Sequence, residues 1–110
     1  MHVLDITIDH TKVAADLTDF PVLIVPADSA DWDALYAVAT GSGGDIRCFK
    51  AGGSVELPRE VVSFSIDLKT GEIHVTYTGT LSSTVDTVIE LHADGVSADY
   101  AVSATYGRNA

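Results

Sequence analysis

The sequence predicts an all-β domain, an antiparallel β-sandwich of jelly-roll-like architecture with one short α-helix around residues 29–39. Most apolar stretches alternate with a period of two, which is typical of strands that bury one face. Turns containing glycine separate these stretches at intervals of about 8–12 residues, and too few residues remain for helical layers. The 110 residues, of which 46% are hydrophobic, suit one core, so we expect a single domain over residues 1–110.

Four alternating segments predict strands. In the first, Leu4, Ile6 and Ile8 share one face, and acidic or hydroxyl side chains occupy the other. The later segments are rich in β-branched residues, as expected for strands. Their predicted inward residues are Val62, Phe64, Ile66 and Leu68 in segment 61–68, Ile73, Val75 and Tyr77 in segment 73–77, and Val85, Thr87, Ile89 and Leu91 in segment 85–92.

Glycine and proline locate a hairpin and an edge strand. The tripeptide at 69–71 lies between two alternating segments and predicts a short hairpin loop in which Gly71 takes the positive φ. The apolar run 20–26 is bounded by Pro21 and Pro26, and proline cannot donate a hydrogen bond to a neighbouring strand. We therefore expect this run at a sheet edge or a strand end, not in a central strand.

One segment has helical spacing. Residues 29–39 place apolar side chains at i, i+3, i+4 and i+7, which form one face of a helix. Asp28 or Ser29 can cap the first turn, and the acidic residues there suit the helix dipole. Gly41 is placed to end the helix. The predicted core-facing residues of this helix are Trp32, Leu35, Tyr36 and Ala39.

Charge and composition exclude several classes of function. Acidic residues number 16 and basic residues 6, which gives a formal net charge of −10. The excess of acidic residues is divided evenly between the two halves of the chain. Its negative charge repels phosphate backbones and anionic lipids, so we expect no nucleic-acid and no membrane partner. The N-terminal segment lacks the basic and apolar regions of a secretory signal, and a single cysteine allows no internal disulfide.

The sequence lacks the motifs of common enzyme classes. It contains no nucleophile-elbow serine motif, no phosphate-binding loop, no HExxH zinc motif and no EF-hand loop. The four histidines do not have the spacing of metal ligands, so we expect them at the surface. Cys48 lies in a predicted strand and is expected in the core as a small apolar side chain. The prediction is a protein that is not an enzyme and needs no cofactor.

Acidic residues and tyrosines supply the candidate site residues. Asp94 and Asp99 surround a predicted turn and could hold a calcium ion through carboxylate oxygens, although turn formation also explains them. Tyr100 and Tyr106 are candidates for contact with a ligand or partner. A glycosidase would need two opposed carboxyl groups, and no pair stands out among the 16. A further acidic cluster, which helix capping explains, consists of Asp28, Asp31 and Asp33.

Several motifs together resemble a known family. In order, they are ITIDH at 6–10, DLTDFPVLI at 16–24, GDIR at 44–47, LPREV at 57–61, LSST at 81–84, TVDTVI at 84–89 and YGRNA at 106–110. They resemble a bacterial and phage domain of unassigned function that commonly precedes concanavalin-like (laminin-G-like) lectin modules in surface and virion proteins. The resemblance covers almost the whole chain, but it assigns no catalytic or ligand residues. Glu90-Leu91-His92 replaces the tyrosine-rich segment of that family.

These observations predict a non-enzymatic structural or attachment module on the surface of a tailed phage or phage-like particle. It would decorate the capsid or form the base of a head or tail fibre, because such particles assemble in the cytoplasm without an export signal. The expected partner is a capsid or fibre protein, with a host-surface glycan as a further ligand. Monomeric and homo-oligomeric states both stay open. The alternative is a carbohydrate-binding or adhesion module at a bacterial cell surface, in which Tyr100 and Tyr106 stack on sugar rings.

Overall fold

The computed structural model describes residues 2–40 and 43–95 as two antiparallel sheets packed together, with one short helix. This confirms the predicted all-β sandwich. The elements are β1 (His2–Ile8), a 3-10 turn (His10–Lys12), β2 (Leu17–Ile24), α1 (Ala30–Tyr36), β3 (Ile46–Lys50), β4 (Glu56–Leu57), β5 (Arg59–Ser65), β6 (Thr70–Leu81) and β7 (Thr87–Ala93). The four-stranded sheet has the order β1-β7-β3-β4, and the three-stranded sheet has the order β2-β6-β5.

The core lies between the two sheets, where the inward faces of the strands meet. The inward face predicted for segment 73–77 is confirmed at Ile73 and Val75, which are fully buried. In segment 85–92 the prediction holds within β7, whereas Val85 precedes the strand and is exposed. Removal of this apolar surface from water is the main favourable contribution to folding. The largest fully buried apolar side chains are Leu35, Ile46, Leu57, Ile73, Ile89, Leu91 and Val75.

Helix α1 packs its predicted apolar face into the core. Ser29 is the N-cap, and its Oγ accepts a hydrogen bond from the Trp32 backbone N–H at 3.3 Å. The rings of Trp32 and Tyr36 are buried and stacked, with 6.0 Å between their centroids. The Tyr36 hydroxyl donates to the Ala27 carbonyl oxygen at 2.7 Å. The helix predicted at 29–39 is therefore present, although its regular part ends at Tyr36.

The inward face predicted for β5 is wrong over part of its length. The pairing of β5 with β6 shifts register between Val61 and Ser63, and the strand ends at Ser65. A bulge of this kind redirects the following side chains and bends the strand. Val62 is consequently exposed, and Leu68, which lies in the turn beyond the strand, is 75% exposed.

The hairpin between β5 and β6 also differs from the prediction. Lys69, rather than Gly71, takes the positive φ, at 54°. Gly71 is needed for a close approach, because a Cβ at this position would lie 2.6 Å from the backbone oxygen of Ser63. The Lys69 ammonium lies 3.0 Å from Asp28 and 2.9 Å from Asp33. Two of the acidic residues beside α1 therefore form ion pairs with this turn.

Arg59 joins the two sheets at the margin formed by β4 and β5, which we call the closed margin. Its side chain is buried, and its Nε donates to the Ile46 carbonyl oxygen at 2.7 Å. Its Nη2 donates to the Gly44 carbonyl oxygen at 3.0 Å. Cys48 lies in the same core, and burial raises the pKa of its thiol to about 12. The prediction that Cys48 is a core side chain is confirmed.

Candidate docking groove at the open margin

An apolar groove lies at the margin opposite the closed one. The strand orders place β1 at the edge of one sheet and β2 at the edge of the other. We call the side formed by these two strands and the loop between them the open margin. Its groove has a volume of ≈ 440 Å³ and a predominantly apolar lining, which includes Ile8, Val13, Leu17, Phe20, Val22 and Leu81.

A β-bulge shapes the β2 side of the groove. The pairing with β6 shifts register between Thr18 and Phe20, and Asp19 takes a positive φ of 50°. The Asp19 Oδ1 atom accepts a hydrogen bond from the Gly79 backbone N–H at 2.7 Å, which holds the bulge. Pro21 follows and has no N–H to offer a further strand. The backbone of β2 is thus a poor template for strand pairing, while Phe20 remains 40% exposed at the groove.

Apolar side chains occupy both faces of β2, which explains why the groove is exposed. Val22 and Ile24 face the core, opposite their β6 partners Val75 and Ile73. Leu23 points the other way and is 54% exposed. The prediction that run 20–26 lies at a sheet edge or a strand end is confirmed, since residues 20–24 belong to β2 at the edge of its sheet and the strand ends at Ile24. A continuous apolar run at an edge must expose one of its faces, and this is the signal from which the groove could have been inferred.

The loop between β1 and β2 forms the outer wall of the groove and is attached at both ends to the segment that precedes β7. Asp86 Oδ1 accepts a hydrogen bond from the His10 backbone N–H at 3.0 Å and lies 2.6 Å from His10 Nδ1. Asp16 Oδ1 accepts hydrogen bonds from the backbone N–H and the hydroxyl of Ser83, both at 2.8 Å. Two carboxylates therefore hold the wall in place.

The rim of the groove is acidic. Hydrogen bonds from the backbone and side chain of Ser83 hold the pKa of the Asp16 carboxyl below its usual value. Hydrogen bonds from the backbone and ring of His10 do the same for the pKa of Asp86. Both groups are therefore ionised at neutral pH. Among the residues that line the groove only Lys12 is charged, whereas Asp9, Asp16 and Asp19 are chain neighbours of lining residues and Asp86 is bonded to His10 in the loop.

Three potential metal ligands meet at one end of the same loop. One ligand atom each from Asp9, His10 and Asp86 lie within 4.8 Å of one another. Asp9 Oδ1 already accepts hydrogen bonds from the backbone N–H and the hydroxyl of Thr11, and Asp86 Oδ1 is engaged by His10. The cluster thus has a structural role in holding the loop. Sequence spacing could not reveal it, because the strand register that brings His10 to Asp86 is set by the fold.

The predicted site residues lie elsewhere or outside the described part of the chain. Asp94 follows β7, is half-buried and interacts with other residues. Asp99, Tyr100 and Tyr106 lie outside residues 2–40 and 43–95. The calcium pair and the tyrosine contact surface therefore stay predictions. No residue that lines the groove is among the site residues predicted from the sequence.

Comparison with known proteins yields no relative from which a function could be transferred. No family model matches the chain, and no curated protein and no solved structure is significantly similar to it. Within the described residues, the helix is too short and too polar to cross a membrane.

Proposed function

We propose that this chain is a non-enzymatic attachment module that docks on a capsid or fibre protein of a tailed phage or phage-like particle. Docking would occur through the groove at the open margin. The observation that carries this proposal is an apolar groove of ≈ 440 Å³ between two sheet edges, beside exposed apolar side chains of β2. Apolar surface clustered in this way is typical of protein–protein interaction sites.

The reactive side chains of the described region support a structural rather than a catalytic role. The thiol of Cys48 is fully buried, and its raised pKa disfavours the nucleophilic thiolate. The imidazoles of His74 and His92 pair with carboxylates two residues away on their own strands, at 3.0 and 2.9 Å. Such pairs on strand faces are explained by local electrostatics alone.

The charge of the rim identifies the kind of surface that fits the groove. Ionised Asp16 and Asp86 flank the apolar lining, and the whole chain carries a net charge of −10. Two copies of the chain would bring like charges together, which disfavours a homodimer through this margin. The matching partner is an apolar protrusion surrounded by lysine or arginine on the capsid or fibre protein.

Co-sedimentation with particles tests this function. Particles are purified on a density gradient from cells that produce the chain with an affinity tag, and the bound chain is counted by quantitative mass spectrometry. We expect a fixed copy number per particle. Leu23→Ser should lower this number at least about tenfold, because a half-exposed apolar contact at the centre of an interface is lost.

A matched control distinguishes docking at the groove from nonspecific hydrophobic association. Leu68→Ser removes a still more exposed leucine in the β5–β6 turn, away from the groove, and should leave the copy number unchanged. Equal loss with both variants would contradict docking at the open margin. Absence of the chain from particles, together with binding to a glycan array, would favour the carbohydrate-binding alternative instead.

A further inference from the structure

The four sheet edges of the described structure differ in how they are protected against pairing with another strand. β4 is only two residues long, β5 has a bulge, and β2 has a bulge and a proline. Short edges, bulges and prolines are the usual devices that prevent strand addition. β1 has none of these three: it pairs with β7 in continuous register from His2 to Ile8, and its first half lies beside α1.

The outer edge of the β1 backbone is unpaired in the part of the chain that the structure describes. Within residues 2–40 and 43–95, its backbone groups have no hydrogen-bond partner other than β7. In an antiparallel pair, alternate residues turn their N–H and C=O groups away from the partner strand. Over its seven residues, β1 therefore presents donors and acceptors that no described residue pairs with.

A cleft runs along the first half of this edge. It has a volume of ≈ 280 Å³ and is lined by four consecutive residues of β1, from His2 to Asp5, and by Ala30, Asp31 and Ala34 of α1. Successive side chains of a strand point to opposite faces, so a cavity that touches four in a row follows the edge itself. The helix forms the other wall of the cleft and lines it with two small alanine side chains.

Two carboxylates of the cleft have no hydrogen-bond or ion-pair partner among the residues that the structure describes. Asp5 and Asp31 are both exposed, and neither has a hydrogen bond or ion pair within the described residues. By contrast, the neighbouring Asp28 and Asp33 share the Lys69 ammonium. A free backbone edge beside two unpaired negative charges suits an extended segment that carries positive side chains.

We propose that the edge of β1 binds an extended, lysine- or arginine-containing segment of a partner protein, which adds as a fifth strand to the four-stranded sheet. Its backbone would pair with β1, and its basic side chains would reach Asp5 and Asp31. A second copy of this chain fits less well, because pairing two β1 edges brings two acidic strands of a −10 protein together. The cleft is lined by the first half of β1 and by α1, whereas the groove at the open margin includes only Ile8, at the far end of β1, so each site can be tested without the other.

A designed peptide tests the proposed strand addition. The probe is the hexapeptide Lys-Val-Arg-Val-Lys-Val with blocked ends, titrated into the ¹⁵N-labelled full chain. We expect saturable shifts of β1 amide signals and slower hydrogen exchange at alternate residues between 2 and 8. A peptide in which each valine is replaced by proline has the same charge but cannot pair, and it should not produce these changes.

Charge variants test the chemistry of the cleft. Asp5→Asn combined with Asp31→Asn should weaken the peptide about fivefold, since exposed ion pairs are individually modest. Asp67→Asn removes an exposed carboxylate in the β5–β6 turn and should leave the affinity unchanged. Strand addition at β1 is refuted if the proline peptide binds equally well, if the shifts lie outside β1, or if no binding occurs. A chain that already forms dimers through β1, with its edge amides protected before peptide is added, refutes the basic-segment partner.

Discussion

The two margins of the sandwich are closed in different ways. At the closed margin, Arg59 reaches from β5 to the carbonyl oxygens of Ile46 and Gly44, so buried hydrogen bonds join the two sheets. At the open margin no comparable bond spans the sheets within the described residues, and the loop is held from outside by Asp16 and Asp86. Polar contacts stabilise the first margin from within, whereas the second leaves apolar side chains accessible.

Because the two margins differ in this way, we expect the closed margin to contribute mainly to stability and the open margin mainly to binding. Substitution of the buried polar group at the closed margin should destabilise the fold, because its hydrogen-bond partners are left unpaired. Substitutions at the open margin should alter association while the fold persists.

Arg59→Met should lower the free energy of unfolding by about 4 kcal/mol, because it leaves buried carbonyl groups without their donor. The side chain is 6% exposed and makes further contacts, so solvent cannot replace it. Urea denaturation measures the loss. Arg47→Met is the counterpart: it removes a solvent-accessible pair with Glu56 and should cost less than about 1 kcal/mol. Equal losses would mean that the closed margin does not depend on the buried guanidinium.

Asp45→Ala should lower the free energy of unfolding by about 2 kcal/mol. This buried carboxylate accepts hydrogen bonds from the backbone and hydroxyl of Thr40 at 3.0 and 2.9 Å, and from the Gly95 backbone N–H at 2.8 Å. It therefore ties the segment after α1 to the end of β7. Asp67→Ala, at an exposed turn position, should change thermal and urea midpoints very little. A similar cost for both substitutions would contradict the role assigned to Asp45.

Acid should loosen the open margin before the core unfolds. The pKa values of Asp16 and Asp86 are lowered by their hydrogen bonds. Their stabilising contribution is present above the unfolded carboxyl pKa of about 3.9 and is lost as the pH falls through the lower folded values. Amide exchange of residues 9–16 should therefore accelerate selectively below about pH 4. In the double variant Asp16→Asn and Asp86→Asn, exchange should be fast already at neutral pH; wild-type behaviour would contradict the attachment.

Leu23→Ala should change the free energy of unfolding by less than about 0.5 kcal/mol, because its side chain is 54% exposed. Its neighbour Ile24 points into the core and provides the matched comparison. Ile24→Ala should cost about 3 kcal/mol. Calorimetry of the two variants measures the difference. If Leu23→Ala costs as much as Ile24→Ala, the outer face of β2 contributes to the core and is not available for docking.

Periodicity and turn chemistry were sufficient to predict the sandwich, the helix and the edge position of β2. They failed where the local backbone departs from the regular pattern. The bulge after Val61 exposes Val62, and Lys69 rather than Gly71 adopts the left-handed conformation. The pairing of His10 with Asp86 joins residues 76 positions apart, and only the strand register brings them together. The apolar run of β2 indicated an exposed apolar face, but the groove also depends on the relative position of two sheet edges, which the local pattern does not specify.

Electron microscopy of the native assembly can show directly which margin faces a partner. If the open margin is the docking surface, the map will place Phe20 and Leu23 against density of the capsid or fibre protein. The closed margin, with Arg59 between the sheets, will then lie away from that contact. A map in which β4 and β5 contact the partner, with the open margin exposed to solvent, would contradict docking at the groove.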